Sequence, residues 1–418
     1  MQNSLSRAGA FIRSPRFPIF MIVFVDVLGL GITIPVLPLF AKNQLGAEAW
    51  HITALVSVFF AAQFFAGPVL GRWSDRFGRR PVLILSQAGT VSALLLTGFA
   101  PTIAILYVAR VIDGLTGGNI SVAQAYLSDI TDEKNRARGL GIVQAAFGLG
   151  FVFGPAFGSL LASFFDPRVP FFVAAAVSLG TILLSIFFLP ESLPAERRRA
   201  DKAAARAAPR ASGWKLLRVP SVAVLLAIGF FVNIAFLNFQ SIFVLWAERL
   251  VFVGFDDAFI QRGVGGILTF VGICSIITQF WLVGPLVKRF GELKLVVWGN
   301  FGRLFGFGLL ALSPTIFATL VSVPFMAIGG GVALPALIAL LTFFSPPDAR
   351  GEVIGIYQSV AAAGSIIGPL MAGFLFQSVH PNAPMVAAAI LIGFAALLSF
   401  TLFRFKPAAQ SASATPAP

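Results

Sequence analysis

Long apolar segments alternate with short polar ones along the whole chain. Each apolar segment holds about 20 residues, enough for a helix to cross the ~30 Å hydrocarbon core of a bilayer. The pattern predicts two groups of six membrane-spanning helices, numbered here as spans one to twelve. The first group is Phe17–Phe40, Ile52–Leu70, Val82–Ala100, Ile103–Leu127, Leu140–Phe164 and Phe171–Leu189, and the second is Val222–Trp246, Gly263–Val287, Leu295–Leu312, Ile316–Phe344, Val353–Phe376 and Met385–Phe403.

The composition excludes a soluble globular protein. Of the 418 residues, 57% are hydrophobic and only 11% are charged, whereas an ordinary soluble domain carries about 25% charged residues. Such a chain has too few polar side chains to cover a surface in contact with water. We therefore expect an all-α integral membrane protein surrounded by the lipid bilayer.

The net charge of +13 would suit a nucleic-acid-binding protein, but membrane topology accounts for it. Basic residues collect before span one and after every even-numbered span, and these segments share one face. Because cytoplasmic loops are rich in Lys and Arg, we expect a multi-pass protein of the cell membrane (plasma or inner membrane) with both termini in the cytoplasm and no nucleic-acid partner. The opposite face keeps only Lys42, Arg168, Arg249 and Arg262.

The chain divides near its middle. Residues 190–220 are rich in Ala, Arg and Pro and carry little apolar surface, which is typical of a flexible linker. We predict an N-terminal six-helix bundle over residues 1–189, a cytoplasmic linker over 190–220, and a C-terminal six-helix bundle with a short cytoplasmic tail over 221–418.

The two halves are copies of one design. The tripeptide Arg76-Phe77-Gly78 after span two matches Arg289-Phe290-Gly291 after span eight. Spans five and eleven also match at a constant offset, which predicts an internal duplication. Arg136, just before span five, and Gly141, Gln144, Gly150, Gly154 and Pro155 within it recur as Arg350, just before span eleven, and Gly355, Gln358, Gly364, Gly368 and Pro369 within it.

Three motifs in the first half identify a family. Residues 71–81, after span two, read GRWSDRFGRRP, and they resemble the signature loop of the major facilitator superfamily at the place where that family carries it. Arg110, followed by three glycines in span four, resembles the second motif of the family. Gly150, Gly154, Pro155 and Gly158 in span five resemble its antiporter motif.

Span one points to one branch of that superfamily. Asp26, Gly29, Gly31, Pro35 and Pro38 resemble the tetracycline-efflux branch of the twelve-helix drug:proton antiporters. This resemblance implies the major facilitator fold, in which two pseudo-symmetric six-helix bundles give alternating access to a substrate site between them.

The sequence departs from that branch at two positions in the second half. Ser275 stands where tetracycline carriers have a histidine in span eight, and Arg303 stands where they have an acidic residue in span nine. Both departures argue against tetracycline as the substrate.

Four ionisable residues fall inside the predicted spans and are candidates for function, since charges in the membrane are costly and have partners nearby. We expect Asp26 to carry the transported proton, and the alternative is a buried carboxylate that only fixes span one to a neighbour. Arg110 and Asp113 lie three residues apart and can meet on one helical face. Protonation of Asp113 would release Arg110, or the pair could stay permanently closed. The fourth is Arg303.

The same chain offers polar groups for a small-molecule substrate. Arg303 could bind an anionic group of the substrate, or neutralise an acid of the second half, for which Glu248 is the candidate. Amide side chains in the spans could bind the substrate or join neighbouring helices. The candidate amides are Gln63, Gln124, Gln144, Asn233, Gln240 and Gln358.

The signature loop has a predicted role of its own. Asp75 could lie at the N-terminus of span eleven and Arg79 could pair with Asp129, and the resemblance implies that this network latches one conformational state. The alternative is a set of solvated charges that fix topology. Glycines at both ends of the loop would permit tight turns. The predicted latch residues are Gly71, Asp75, Gly78, Arg79, Arg80 and Asp129.

No catalytic, cofactor-binding or metal-binding group is evident. The chain lacks a phosphate-binding loop, His51 and His380 fall near external loops, and Cys274 lies inside span eight. We expect a monomeric secondary transporter without cofactors that exports amphipathic, drug-like molecules in exchange for protons. The alternatives are a proton-coupled symporter or facilitator for a sugar-like or organic solute, a non-transporting receptor, and an intramembrane enzyme.

Overall fold

The computed structural model describes Ser14, Glu196 and residues 16–132, 136–194, 217–346 and 349–405, with the backbone alone at 136–138 and 140. Within this part of the chain, twelve helices are long and apolar enough to cross a membrane. They are Arg16–Leu45, Ala49–Phe77, Arg79–Phe99, Ile103–Asp129, Gly141–Phe164, Val169–Phe188, Pro220–Val251, Asp257–Phe290, Glu292–Leu312, Ile316–Phe343, Arg350–Ser378 and Ala383–Arg404.

The twelve predicted spans are confirmed, and most helices extend beyond the apolar segments that predicted them. Span two continues as helix through the first half of the signature loop and ends at Phe77. The turn that follows is made at Gly78 alone, with φ of 107°. The prediction of a tight turn at Gly71 is therefore wrong, because this glycine lies within the helix.

Four spans are not uniform α-helices, and one of them is span twelve, which ends in a 3-10 helical turn over Thr401–Arg404. Span four is interrupted, and its two helices are Ile103–Thr116 and Asn119–Asp129. Span seven ends in a π-helical turn over Ala247–Val251, and span eight contains another over Thr278–Leu282. Such interruptions within membrane helices need neighbouring groups to satisfy the freed backbone.

The outer surface of the helices suits a lipid solvent. Large apolar side chains point away from the protein, among them Phe65, Phe187, Leu312 and Phe317, each at least 71% exposed. In water such exposure would be unfavourable, whereas hydrocarbon accepts these groups without cost. The protein is a multi-pass membrane protein.

The helices form two compact units. The first unit takes the described residues within Met1–Ala47, Val58–Ala208 and Asp256–Gly272, and the second takes those within Glu48–Ser57, Pro209–Phe255 and Ile273–Pro418. In the second unit, the Ser57 hydroxyl donates a hydrogen bond to the carbonyl oxygen of Ile366 (2.8 Å). The division at 1–189, 190–220 and 221–418 stays a prediction, and most of the predicted linker lies outside the described residues.

A close helix crossing fixes the interior of the first unit. A Cβ atom built on Gly154 would lie 2.7 Å from Cα of Gly31 and 2.8 Å from the carbonyl oxygen of Leu28, so spans one and five touch backbone to backbone. Gly150 and Gly158 meet Val27 and Ile32 in the same way. Small residues at this spacing permit such contact.

The second unit repeats this crossing between spans seven and eleven. A Cβ atom on Gly368 would lie 2.7 Å from the carbonyl oxygen of Ile234, and Gly364 lies against Asn233. The turn at Gly78 (φ 107°, ψ 163°) also recurs at Gly291 (φ 76°, ψ 160°), where each glycine precedes the next span. The duplication predicted from the sequence is therefore present in the backbone.

Candidate functional site

The first unit contains a polar cluster inside the membrane, built around the interruption of span four. Helix geometry ends at Thr116, and the amide of Gly118 donates to the Thr116 carbonyl oxygen (2.7 Å). The Gln63 side-chain amide of span two donates to the carbonyl oxygen of Gly117 (2.9 Å). Backbone groups released in hydrocarbon need such partners, so Gln63 supports the break.

Asp26 joins this cluster through a residue that sequence reasoning missed. Asn119, the first residue after the break, donates from Nδ2 to Oδ1 of Asp26 (2.7 Å). Asn119 is 1% exposed, and its own Oδ1 has no hydrogen-bond partner. The signal that could have found it is the glycine pair directly before it, since two adjacent glycines indicate a helix interruption.

The predicted pair of Arg110 and Asp113 is present. Nη1 of Arg110 lies 3.2 Å from Oδ2 of Asp113, and Nη2 donates to the Thr97 hydroxyl (3.4 Å). The Thr90 hydroxyl provides a further hydrogen bond to Asp113, whose carboxylate is near enough to that of Asp26 for the two to repel each other. One cation and two carboxylates thus share one enclosed region.

The crossing of spans one and five positions Asp26. Val27, the next residue, lies against Gly150, so that a Cβ atom on the glycine would come within 2.8 Å of the valine Cβ. The antiporter motif, Gly150, Gly154, Pro155 and Gly158, therefore holds the backbone that carries the carboxylate. Whether this motif also acts in the transport cycle stays a prediction.

The predicted pair of Arg79 and Asp129 is present. It lies in the first unit, at the end where the signature loop is found. Nε of Arg79 lies 3.0 Å from Oδ2 of Asp129, and Nη1 lies 2.5 Å from Oδ1 of Asp75. The same guanidinium donates to the Ser74 hydroxyl (2.9 Å). The Asp75 side chain is 66% exposed, and its contact with span eleven stays a prediction.

Glu191, after span six, is a second residue that sequence reasoning missed. Its carboxylate accepts from the backbone amides of Arg79 (2.8 Å) and Arg80 (3.2 Å), the first two residues of span three. It also occupies the space that a Cβ atom on Gly78 would need. Arg80 in turn donates to the carbonyl oxygens of Ser185 (3.2 Å) and Ile186. A carboxylate at a helix N-terminus satisfies free amides and is favoured by the helix dipole.

Replacing Glu191 by Ala should lower the stability of the protein by about 1–2 kcal/mol, because two amide donors at the start of span three lose their acceptor. The midpoint of thermal unfolding in detergent measures this. Glu196→Ala removes an exposed carboxylate five residues later and should leave the midpoint unchanged. Equal midpoints for both variants would contradict the capping role.

The candidate substrate amides fall into two groups. Gln63 is bonded to Gly117, and Asn233 accepts from the Ser365 hydroxyl (3.0 Å), so both join neighbouring parts of their own units. The other four side-chain amides have no hydrogen-bond partner among the described residues and remain open to a ligand. They are Gln124 and Gln240, which are half-buried, and Gln144 and Gln358, which are exposed.

A family model described as the Major Facilitator Superfamily matches residues 19–261 and 254–418. The chain belongs to the major facilitator superfamily. This superfamily and the relatives that the chain matches are transporters rather than enzymes. Their cargo is small molecules, so the fold and the class of the protein agree with the interpretation of its sequence.

Two bacterial relatives align with most of this chain. The class C tetracycline resistance protein of Escherichia coli is 33% identical over 365 residues, which span 85% of this chain and 88% of that protein. Multidrug resistance protein 2 of Bacillus subtilis (strain 168) is 30% identical over 359 residues, spanning 85% and 87%. These relatives support the drug-efflux branch of the superfamily that span one indicates.

Solved structures of the superfamily share the fold. The nucleoside transporter NupG superposes with a TM-score of 0.72 at 16% identity, covering 94% of this chain and 100% of that one. The human organic anion transporter MFSD10 gives 0.66 at 21% identity, covering 92% and 98%. At these identities the likeness concerns the major facilitator fold alone.

Proposed function

We propose that the chain is a proton-coupled antiporter that exports amphipathic, drug-like molecules by alternating access. The observation that carries this proposal is the cluster at the break in span four, where Asn119 bonds to Asp26 beside the pair of Arg110 and Asp113. A charge inside the membrane costs at least about 2.5–3.5 kcal/mol on insertion scales, so a cluster of three is not retained for packing. The similarity to tetracycline and multidrug resistance proteins supports a drug-like cargo.

In this mechanism Asp26 carries the proton. Protonation of Asp113 weakens its attraction to Arg110, and the pair opens. Proton binding and substrate binding exclude each other. A bound proton therefore lowers the affinity for substrate, and bound substrate lowers the affinity for the proton by the same factor. Protons entering along the membrane potential supply about 2.3 kcal/mol per charge per 100 mV.

The remaining candidates take supporting roles. Gly71, Asp75, Gly78, Arg79, Arg80 and Asp129 latch one conformational state, and the antiporter motif keeps spans one and five in contact. Gln124, Gln144, Gln240, Gln358 and Arg303 provide polar contacts for the cargo, while Gln63 and Asn233 join neighbouring parts of their own units. The protein works as a monomer in the plasma or inner membrane with both termini in the cytoplasm, and it uses neither a cofactor nor nucleic acid.

Proton flux in proteoliposomes tests the proposal. Wild-type protein is challenged with a panel of lipophilic drugs, tetracycline and sugars while the internal pH is recorded. We expect lipophilic compounds to release protons through the protein. Uptake of a sugar without any drug-driven proton movement would instead establish the symporter or facilitator.

A further inference from the structure

The second unit contains a buried cation without an acidic partner. Arg303 lies in the middle of span nine, twelfth of the 21 residues from Glu292 to Leu312, and is 6% exposed. Its guanidinium forms no ion pair with any carboxylate of the described residues. Isolated charges removed from water are strongly unfavourable, so this position requires an explanation.

None of the carboxylates among the described residues of the second unit neutralises Arg303. Glu292 is eleven residues earlier in span nine, about 16 Å along the helix axis. Glu352 is in the first turn of span eleven, and Glu248 is in the π-helical end of span seven. Glu248, the neutralising acid considered from the sequence, is therefore not the partner of Arg303.

The backbone of span ten lies close beside the Arg303 side chain. Span ten passes Arg303 with three consecutive glycines, and a Cβ atom on Gly330 would stand 3.8 Å from Cζ and Nε. On Gly329 a Cβ atom would come 2.9 Å from Cγ of Arg303, so the side-chain stem lies directly on the span-ten backbone. Because Gly330 has no side chain, only backbone atoms of this residue face the guanidinium.

Tyr357 of span eleven supplies a second donor beside this cation. It is 7% exposed, interacts electrostatically with Arg303, and its ring lies against Gly229 of span seven. The phenol hydroxyl has no hydrogen-bond partner among the described residues. A guanidinium and a hydroxyl that both lack acceptors form a donor set for one anion.

The duplication shows that this charge is a feature of one half alone. The same 213 residues separate Gly78 from Gly291 and Thr90 from Arg303. In the first unit the Thr90 position serves the carboxylate of Asp113, whereas in the second unit the matching position holds a cation and no acid. Among the described residues, no acid of the second unit is paired with this cation.

We infer that Arg303 and Tyr357 form an anion subsite that receives the carboxylate of an amphipathic substrate. The inference rests on the proposed transport function and names the chemical class of its cargo. A single enclosed guanidinium balances one negative charge, which favours a monocarboxylate over a dianion, and its planar fork matches the two carboxylate oxygens.

Binding to the purified full-length protein in detergent tests this subsite. The probes are N-dansylphenylalanine, 1-naphthoic acid and indole-3-acetic acid, each beside its own carboxamide. We expect at least one acid to bind wild type about tenfold or more tightly than its amide, Arg303→Gln to remove this preference, and Arg303→Lys to keep part of it. Arg249→Gln removes an exposed cation of the same unit and should leave the preference intact.

A second measurement covers the case in which Arg303→Gln does not fold. Phenylglyoxal modifies accessible guanidinium groups, and mass spectrometry of the span-nine peptide reports modification of Arg303 in wild type. The acid that binds should protect this residue and its amide should not. The inference is wrong if no acid is preferred over its amide, if the preference survives Arg303→Gln, or if protection is absent. Because these assays use no membrane and no gradient, they can fail or succeed independently of proton coupling.

Discussion

Asp26→Asn should reduce transport driven by a pH gradient to the level of liposomes without protein. Asparagine has nearly the size of the carboxyl group and can still accept a hydrogen bond from Asn119, which reaches Asp26 at 2.7 Å in the wild type. The variant should therefore fold, but it can neither bind nor release a proton. Substrate should still cross in exchange for substrate, because that exchange needs no change of protonation.

The measurement uses the compound that releases most protons from wild-type proteoliposomes. Gradient-driven accumulation and exchange of labelled for unlabelled compound are compared for each variant. The control is Asp166→Asn, which removes an exposed loop carboxylate of the same unit and should behave as wild type. Accumulation by Asp26→Asn at the wild-type rate would show that the carboxylate only holds span one in place.

Gly154→Leu should prevent the first unit from folding. A Cβ atom at this position would lie 2.7 Å from Cα of Gly31 and 2.8 Å from the Leu28 carbonyl oxygen, so the clash is with backbone that cannot rotate away. Overpacking of cores by side-chain atoms costs about 1–3 kcal/mol, and separation of two backbones should cost more than that. We expect little monodisperse protein after extraction from the membrane.

Size-exclusion chromatography of the solubilised protein measures this effect against a matched control. Gly180→Leu introduces the same side chain in span six, where a Cβ atom would have no neighbour within 4 Å, and should give a wild-type profile. Gly368→Leu should reproduce the defect in the second unit. A normal profile for Gly154→Leu would mean that spans one and five can separate without loss of the fold.

The sequence predicted the helices, the duplication and two ion pairs because each depends on local spacing or on repetition. Apolar length decides which segments become membrane helices, and a spacing of three residues brings Arg110 to Asp113 on one face. The pair of Arg79 and Asp129 followed from the family resemblance instead, since fifty residues separate the two side chains.

The remaining features depend on which distant groups meet, and hydropathy contains no such information. Glu191 caps span three across 112 residues of sequence, and many carboxylates near helix ends could have taken that place. Asn119 was not among the candidate amides, because only the break in span four places it beside Asp26. Gly71 was expected in a turn, but it lies inside the helix Ala49–Phe77. A glycine does not end a helix when the backbone amides around it keep their helical hydrogen bonds.

The glycine turn and the glycine crossing both recur in the two halves. This recurrence shows which features of the chain preceded the internal duplication and which followed it. The turn at Gly78 has its copy at Gly291, and the crossing at Gly154 has its copy at Gly368. Traits that both halves inherited were already present in the single six-helix ancestor. Asp26, at mid-span in one half, and Arg303, at mid-span in the other, lack such copies, so each charge was gained or lost after the gene had doubled. The helix packing is thus older than the duplication. The difference in charge between the two halves arose after it.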